Sequence, residues 1–145
     1  MWSWSQANRP IVVAYVETVA SGNVATVLQL VVENVGNRPA ACVQLIASPD
    51  ELSQVRRASA GDAVVLDVER CFSPRAVIPV LKPGQKVTNA FGQLTADSSS
   101  TWVPESRLAI QLSYSGYERE RTYSGTCQLL LSNDHGFAGS SWREA

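Results

Sequence analysis

The stretch Val24-Ala25-Thr26-Val27-Leu28-Gln29-Leu30-Val31-Val32-Glu33-Asn34-Val35-Gly36-Asn37-Arg38-Pro39-Ala40-Ala41-Cys42-Val43-Gln44-Leu45-Ile46 decides how the rest of the chain is read. Its first half is rich in Val, Leu and Thr. Leu28, Leu30 and Val32 recur at period two, with Gln29 and Glu33 on the other parity. The β-branched content and the bounding turn residues argue for a strand over a helix. Asn34-Val35-Gly36-Asn37-Arg38-Pro39 concentrates turn formers. Gly36 and Asn37 tolerate positive φ, and Pro39 fixes φ and offers no N–H. Beyond it, Ala41, Val43 and Leu45 alternate with Cys42, Gln44 and Ile46. The reading is strand, tight polar connection, strand.

The same signals recur on both sides. Arg9-Pro10 closes a polar leader and opens a first strand, Ile11 to Val19, and Ser21-Gly22-Asn23 turns it into the central strand. Ala47-Ser48-Pro49-Asp50 breaks the second strand. Asp50 stands where it would cap a short helix through Val55. Ala63 to Val68 reads as a short edge strand, and Glu69 to Arg75 as loop. Ala76 to Leu81 runs into Lys82-Pro83-Gly84-Gln85, the strongest turn signal in the chain. Proline suits the first central position of a type II turn and glycine the second. Lys86 to Leu94 follows with Val87 and Phe91 available to a core, then a Ser-rich loop closed by Trp102-Val103-Pro104. Leu108, Ile110, Leu112 and Tyr114 share one face of the next strand. Ser115-Gly116-Tyr117-Glu118 makes a hairpin, and Tyr123, Cys127, Leu129 and Leu131 share one face of the last strand.

The sum is all-β: an antiparallel β-sandwich of about seven to eight strands, with a closed barrel as the alternative. A chain of 145 residues has room for one domain with a real core. We read residues 1–8 as a leader, 9–133 as the sandwich and 134–145 as a C-terminal tail.

Composition narrows the function classes. Apolar residues make up 45% and charged residues 17%, a globular composition and not a disordered one. A formal net charge of −1 gives no reason to expect nucleic acid or an anionic membrane as partner. No apolar run approaches the length of a membrane-spanning helix, and no secretory signal is read at the N-terminus. The default expectation for location is cytoplasmic, or virion- or membrane-tethered within a larger assembly.

Catalytic signatures are missing from the pattern. The sole histidine, His135, sits in the turn Asn133-Asp134-His135-Gly136, without a nucleophile elbow elsewhere. Asp62, Asp67, Glu69, Asp97, Glu105, Glu118 and Glu120 are scattered, and no pair is singled out by spacing as an acid–base couple. Asp62, Asp67 and Glu69 come nearest to a calcium cluster. Cys42, Cys71 and Cys127 lack metal-ligand spacing. They read as small apolar residues, with Cys71–Cys127 and Cys42–Cys127 as the disulfide alternatives. Arg56-Arg57 and the Arg119/Arg121 pair read as solvated basic spots. We expect no cofactor, no metal and no catalytic residue.

Four motifs, in order, resemble a bacterial immunoglobulin-like domain of uncharacterised proteins, similar to the cell-adhesion-related bacterial domain. They are Arg9-Pro10; Asn34-Val35-Gly36-Asn37-Arg38-Pro39-Ala40; Leu81-Lys82-Pro83-Gly84-Gln85; and Tyr117-Glu118-Arg119-Glu120-Arg121-Thr122-Tyr123. The resemblance spans residues 9 to 132. All four motifs are turn and strand chemistry, so it implies an immunoglobulin-like fold and no active site.

The functional expectation is therefore a non-enzymatic protein-binding or structural module. A phage or virion-type decoration domain is one alternative, and a small hydrolase or carbohydrate-active domain another. The partner is another protein or a second copy, with no nucleic acid and no membrane insertion. The candidate partner surface is the outer face of the first two strands: Ile11, Val13, Tyr15, Val27, Val31 and Val35. Apolar residues there would want a cover, from another chain or from the Trp2/Trp4 leader.

Overall fold

A computed structural model describes residues 8–21, 25–56, 69–95, 101–103, 106–116 and 121–131. Seven strands form two antiparallel sheets: β1 (Val12–Ser21), β2 (Ala25–Asn34), β3 (Ala40–Ala47), β4 (Val77–Leu81), β5 (Lys86–Thr95), β6 (Ser106–Gly116) and β7 (Thr122–Leu131). One sheet has the order β1-β2-β5 and the other β4-β3-β6-β7. This three-on-four division, with the chain crossing between layers after β2, β4 and β5, is that of an immunoglobulin-like sandwich. The expected all-β sandwich is the observed one.

The period-two reading survives strand by strand. Val12, Ala14 and Val16 of β1 are buried, as are Leu28, Leu30 and Val32 of β2. From the facing sheet come Val43 and Leu45 of β3, Leu108, Ile110 and Leu112 of β6, and Leu129 and Leu131 of β7. Burying such side chains contributes about 1.5–3 kcal/mol each before conformational entropy is charged against it. Bulges interrupt the ladders. In β5 the register against β2 slips beside Gly92, whose φ is +80°. In β3 it slips against β6 at Cys42, which has φ +53° although it is not glycine. That left-handed backbone is uncommon for a residue carrying a Cβ and marks a strained site.

Between the layers an aromatic cluster closes one end. Trp102 is fully buried and stacks on Phe91 at 4.8 Å between centroids. Its indole Nε1–H donates to the Phe91 carbonyl at 2.7 Å, which satisfies the polar handle that a buried Trp carries. Phe72 meets Phe91 edge to face at 6.1 Å. Trp102 marks no simple loop closure. It is the largest fully buried side chain among the described residues.

The short helix α1 spans Pro49–Val55. Proline suits its first turn, where the missing N–H would go unpaired anyway. Its N-cap is Ser48, not Asp50, and the capping side chain makes no hydrogen bond. Leu52 and Val55 turn inward to the core. The segment read as loop contains a single 3-10 turn, Arg70–Phe72. The predicted edge strand at 63–68, the leader with Trp2 and Trp4, the Ser-rich loop, the tip of the last hairpin, His135 and the C-terminal tail all lie outside the described residues.

The two turns at the heart of the sequence reading have different physical origins. Gly84 has φ +80°, and the Gln85 N–H bonds the Lys82 carbonyl at 2.9 Å, as a type II turn requires. Gly36 has no positive φ, and neither does Asn37, so conformational freedom is not why glycine sits there. Space is. A Cβ on Gly36 would lie 2.3 Å from the Arg9 carbonyl oxygen and 2.5 Å from the Ile11 nitrogen. Both are backbone atoms and cannot swing away.

These two glycines should therefore respond differently to substitution. Gly36→Ala forces main chain apart and should cost about 3 kcal/mol or more, at the upper end of overpacking effects. Gly84→Val places a β-branched residue at positive φ and should cost roughly 1–2 kcal/mol, and Gly84→Asn less. Urea midpoints of the three variants check the ranking. A Gly36→Ala protein with a wild-type midpoint would refute the close approach.

Candidate binding site at the open edge

The outer face of the β1-β2-β5 sheet holds the six residues the sequence singled out. On this face Tyr15 of β1 lies opposite Val31 of β2, while Val13 lies opposite Glu33 and Val27 opposite Ala20; Ile11 and Val35 stand just beyond the strand ends. Their environments diverge. Val27 and Val35 are 41% and 53% exposed, whereas Val31 is fully buried; Ile11, Val13 and Tyr15 are intermediate. Val31 pairs with Tyr15 on one side and Thr88 on the other. Its neighbours along this face, Gln29 and Glu33, are tied down. Tyr15 Oη donates to Glu33 Oε1 at 3.0 Å, and Gln29 Nε2 donates to Glu17 Oε1 at 2.9 Å. Tyr15 loses hydration here and bonds a carboxylate, and both effects push its phenol above the ordinary value. Val27 and Val35 stand eight positions apart, about 26 Å along a strand, with polar pairs between them. The six residues do not merge into one exposed apolar patch.

A second feature lies at the flank where β4 and β5, the outermost strands of opposite sheets, leave a gap. A cavity of about 340 Å³ opens there. Leu30 and Val32 of β2, Leu45 of β3, Ile78 of β4 and Val87 of β5 give it an apolar interior. Arg70, Cys71, Arg75 and Asn89 stand among its lining residues as the polar contribution. Its shape follows from chain connectivity. The turn at Pro83-Gly84 joins β4 to β5 across the two sheets, so the strands are held together at one end and diverge from it. The 3-10 turn enters at the wide end, with Phe72 against Phe91.

Hydrogen bonds shape the mouth. Asn89 Nδ2 donates to Cys71 Sγ at 3.0 Å and to the Ala90 carbonyl at 2.9 Å. Glu69 lies beside this region but is engaged elsewhere, pairing with Arg56 at 2.6 Å. No sequence pattern points to this site. Arg70 and Arg75 follow no recognisable spacing, and the apolar lining residues were already assigned to the core.

Other candidates resolve simply. Among the described residues, no group of three His, Cys, Asp or Glu side chains is placed to hold a metal; Asp62 and Asp67 lie outside them. None of the three cysteines forms a disulfide. Cys42 is exposed, Cys71 and Cys127 are half-buried, and burial raises the Cys127 thiol above its usual value. Among the described residues, no helix is long and apolar enough to cross a membrane.

With this geometry in hand, comparison with known proteins assigns a family. The chain belongs to the family described as Domain of unknown function (DUF8453). The match covers residues 3–133, which takes in both sheets, the open edge and its cavity. No curated protein matches the chain.

Two predictions follow from the site. Val31→Ala removes fully buried methyl groups and should cost about 1–3 kcal/mol. Val27→Ala, on the same parity but exposed, should stay within about 0.5 kcal/mol. Equal effects in thermal or urea unfolding would show that Val31 is not enclosed. Thiol labelling should rank the cysteines: Cys42 reacts first with a maleimide in the native state and Cys127 last, because burial disfavours its thiolate. Uniform labelling rates read by mass spectrometry would contradict the placement of Cys127.

Proposed function

We propose that this domain is a non-enzymatic protein-binding module, of the bacterial immunoglobulin-like kind that its turn motifs resemble, and that it engages its partner at the open β4–β5 edge. The observation that carries this reading is the cavity between the outermost strands of the two sheets. It is concave and mainly aliphatic, and falls in the size range of ligand sites, with a few polar groups at hand to orient what enters. Val77 of β4, in its lining, is 39% exposed and supplies further apolar contact. A side chain from a partner would be desolvated on several sides, the usual situation of an anchoring residue.

The chemistry of the lining supports binding over turnover. A hydrolase needs titratable groups that converge on a reacting atom. Among the described residues, the polar members of the lining are Arg70, Cys71, Arg75, Thr88 and Asn89. These can orient and neutralise a bound group, but they do not include a carboxylate or imidazole base. The mixed outer face, where polar pairs separate Val27 from Val35, is the weaker docking candidate.

The test compares three immobilised proteins in a lysate of the source organism: wild type, Val77→Asp at the cavity and Val27→Asp on the outer face. Both substitutions are at exposed positions, so circular dichroism should show folded protein. A partner retained by wild type and Val27→Asp but lost from Val77→Asp is the expected result. Loss only from Val27→Asp would move the interface to the outer face. Identical capture by all three would sink the reading.

A further inference from the structure

The outer face of the β4-β3-β6-β7 sheet differs from its counterpart across the sandwich. Strand pairing fixes which side chains share it. Ile46 of β3 lies opposite Gln111 of β6, and Gln111 lies opposite Thr126 of β7. One row away, Gln44 lies opposite Ser113, and Ser113 opposite Ser124. On the other side, Ala109 with Gln128 and Arg107 with Leu130 carry the face to its end. Leu108, Ile110, Leu112 and Leu129 turn inward to the core, so alternation points these rows outward. Ile46 and Leu130 are 41% and 37% exposed, and Ala109, Gln111, Thr126 and Gln128 are exposed too.

Charge is nearly missing from this face. Among the described residues, Arg107 is the one charged side chain on the outward positions of the four strands. It stands at the end, where its Nη1 reaches Gln128 Oε1 at 3.4 Å. A soluble surface is ordinarily about a quarter to a third charged. The three-stranded sheet keeps to that pattern, with Glu17 opposite Gln29 and Glu33 opposite Lys86 on its outer face. Depletion of charged residues is the mark of the centre of a protein–protein interface.

The groups that remain suit a second copy. In a two-fold pair a surface meets itself, so a charged centre would meet the same charge. The amides of Gln44 and Gln111 and the hydroxyls of Ser113, Ser124 and Thr126 each donate and accept, and can bond to their own copies. Ile46 adds apolar contact beside them. An unlike partner would be selected by charge complementarity, which this face does not offer. The area is also sufficient. Strands of 8, 5, 11 and 10 residues, at about 3.4 Å per residue and about 4.8 Å between strands, give a footprint of roughly 550 Å² per copy. A pair then buries roughly 1,100 Å², just above the lower bound of a specific interface.

We propose that this face is a self-association surface, on which a second copy of the chain packs sheet to sheet about a two-fold axis near Gln111. Gln111 belongs to β6, an inner strand of the sheet, and has a neighbour on each side. The surface is separate from the cavity at the β4–β5 flank, so a dimer leaves that binding site available. Val77 stands at the rim of both and serves as a probe of neither copy contact nor its loss.

The test measures the mass of the full chain in reductant by analytical ultracentrifugation over a concentration series. Wild type should pass from 15.7 kDa toward twice that mass as concentration rises. Gln111→Glu and Gln111→Lys, both at an exposed position, should each stay folded by circular dichroism and weaken association at least about tenfold, since like charges are brought together without water. An equal mixture of the two variants should restore the dimer, because each then meets the opposite charge. Val27→Asp, on the other sheet, should associate as wild type does. A wild-type monomer at about 1 mM, where even weak contacts associate, overturns the inference. A dimer that both Gln111 variants leave intact places the contact elsewhere and overturns it as well. A mixture of the variants that stays monomeric overturns the two-fold pairing at Gln111. None of these outcomes depends on capture of a partner at the cavity, so this inference and the binding role fall separately.

Discussion

One buried carboxamide ties the sandwich together. Asn34 ends β2 with no solvent exposure, and its side chain uses its full hydrogen-bonding capacity. Oδ1 accepts from the Gly36 N–H at 2.9 Å and the Ile11 N–H at 3.2 Å. Nδ2 donates to the Arg38 carbonyl at 2.8 Å and the Leu81 carbonyl at 2.9 Å. Two donors and two acceptor sites are what a carboxamide has. Its main chain adds two more bonds, from its N–H to Gln85 and from the Gly84 N–H to its carbonyl. Aspartate could not make both donations, and leucine would leave four main-chain groups unpaired, each costing about 1–3 kcal/mol when buried. The residue joins the entry to β1, the connection after β2, the end of β4 and the turn before β5. Ile11 and Leu81 lie at strands of opposite sheets, so the same side chain sets where the two layers meet. Gly36 belongs to this arrangement. Only a residue without Cβ lets the Asn34 connection come so near the Arg9-Pro10 backbone.

That junction has consequences along the flank. β4 and β5 are fixed to each other at the Pro83-Gly84 turn, yet each belongs to a different sheet. They must diverge as they leave it. On the opposite flank β1 packs against β7 and closes the sandwich. The gap is then confined to one side, and the wide end is filled by Phe72, Phe91 and Trp102. What remains open is the aliphatic hollow between. The cavity is thus a product of topology.

Much of the fold was legible because strand burial is a local, period-two property. Leu28, Leu30 and Val32, or Leu108, Ile110 and Leu112, announce their faces without knowledge of any partner. Pro83-Gly84 was legible for the same reason, since a type II turn is specified by its own residues. Val31 was not. Its parity is outward, but its enclosure depends on Tyr15 and Thr88 from two other strands and on polar side chains of its own. Trp102 was missed as a core residue because it lies outside any periodic run and is captured by Phe91 across a loop. Gly36 carried the right signal for the wrong reason: a glycine in a turn suggests positive φ, and only the approach of Arg9 and Ile11 reveals a steric demand. The cavity-lining residues come from four strands and a 3-10 turn, so no spacing in the sequence joins them.

The contrast between global and local charge bears on what composition can exclude. A net charge near zero removes long-range attraction to polyanions, and on that ground nucleic acid is no more expected here than before. Recognition of a segment in contact with the surface depends on a shorter range. At physiological salt, exposed charges are largely screened beyond about 8 Å. Within that distance of a surface, what matters is which charged side chains stand there, whatever the sum over 145 residues. Glu69 illustrates the point. It is near in sequence to Arg70, but the partner it is seen with is Arg56 at 2.6 Å. Placement, which composition cannot see, sets the sign of the field that a partner would meet.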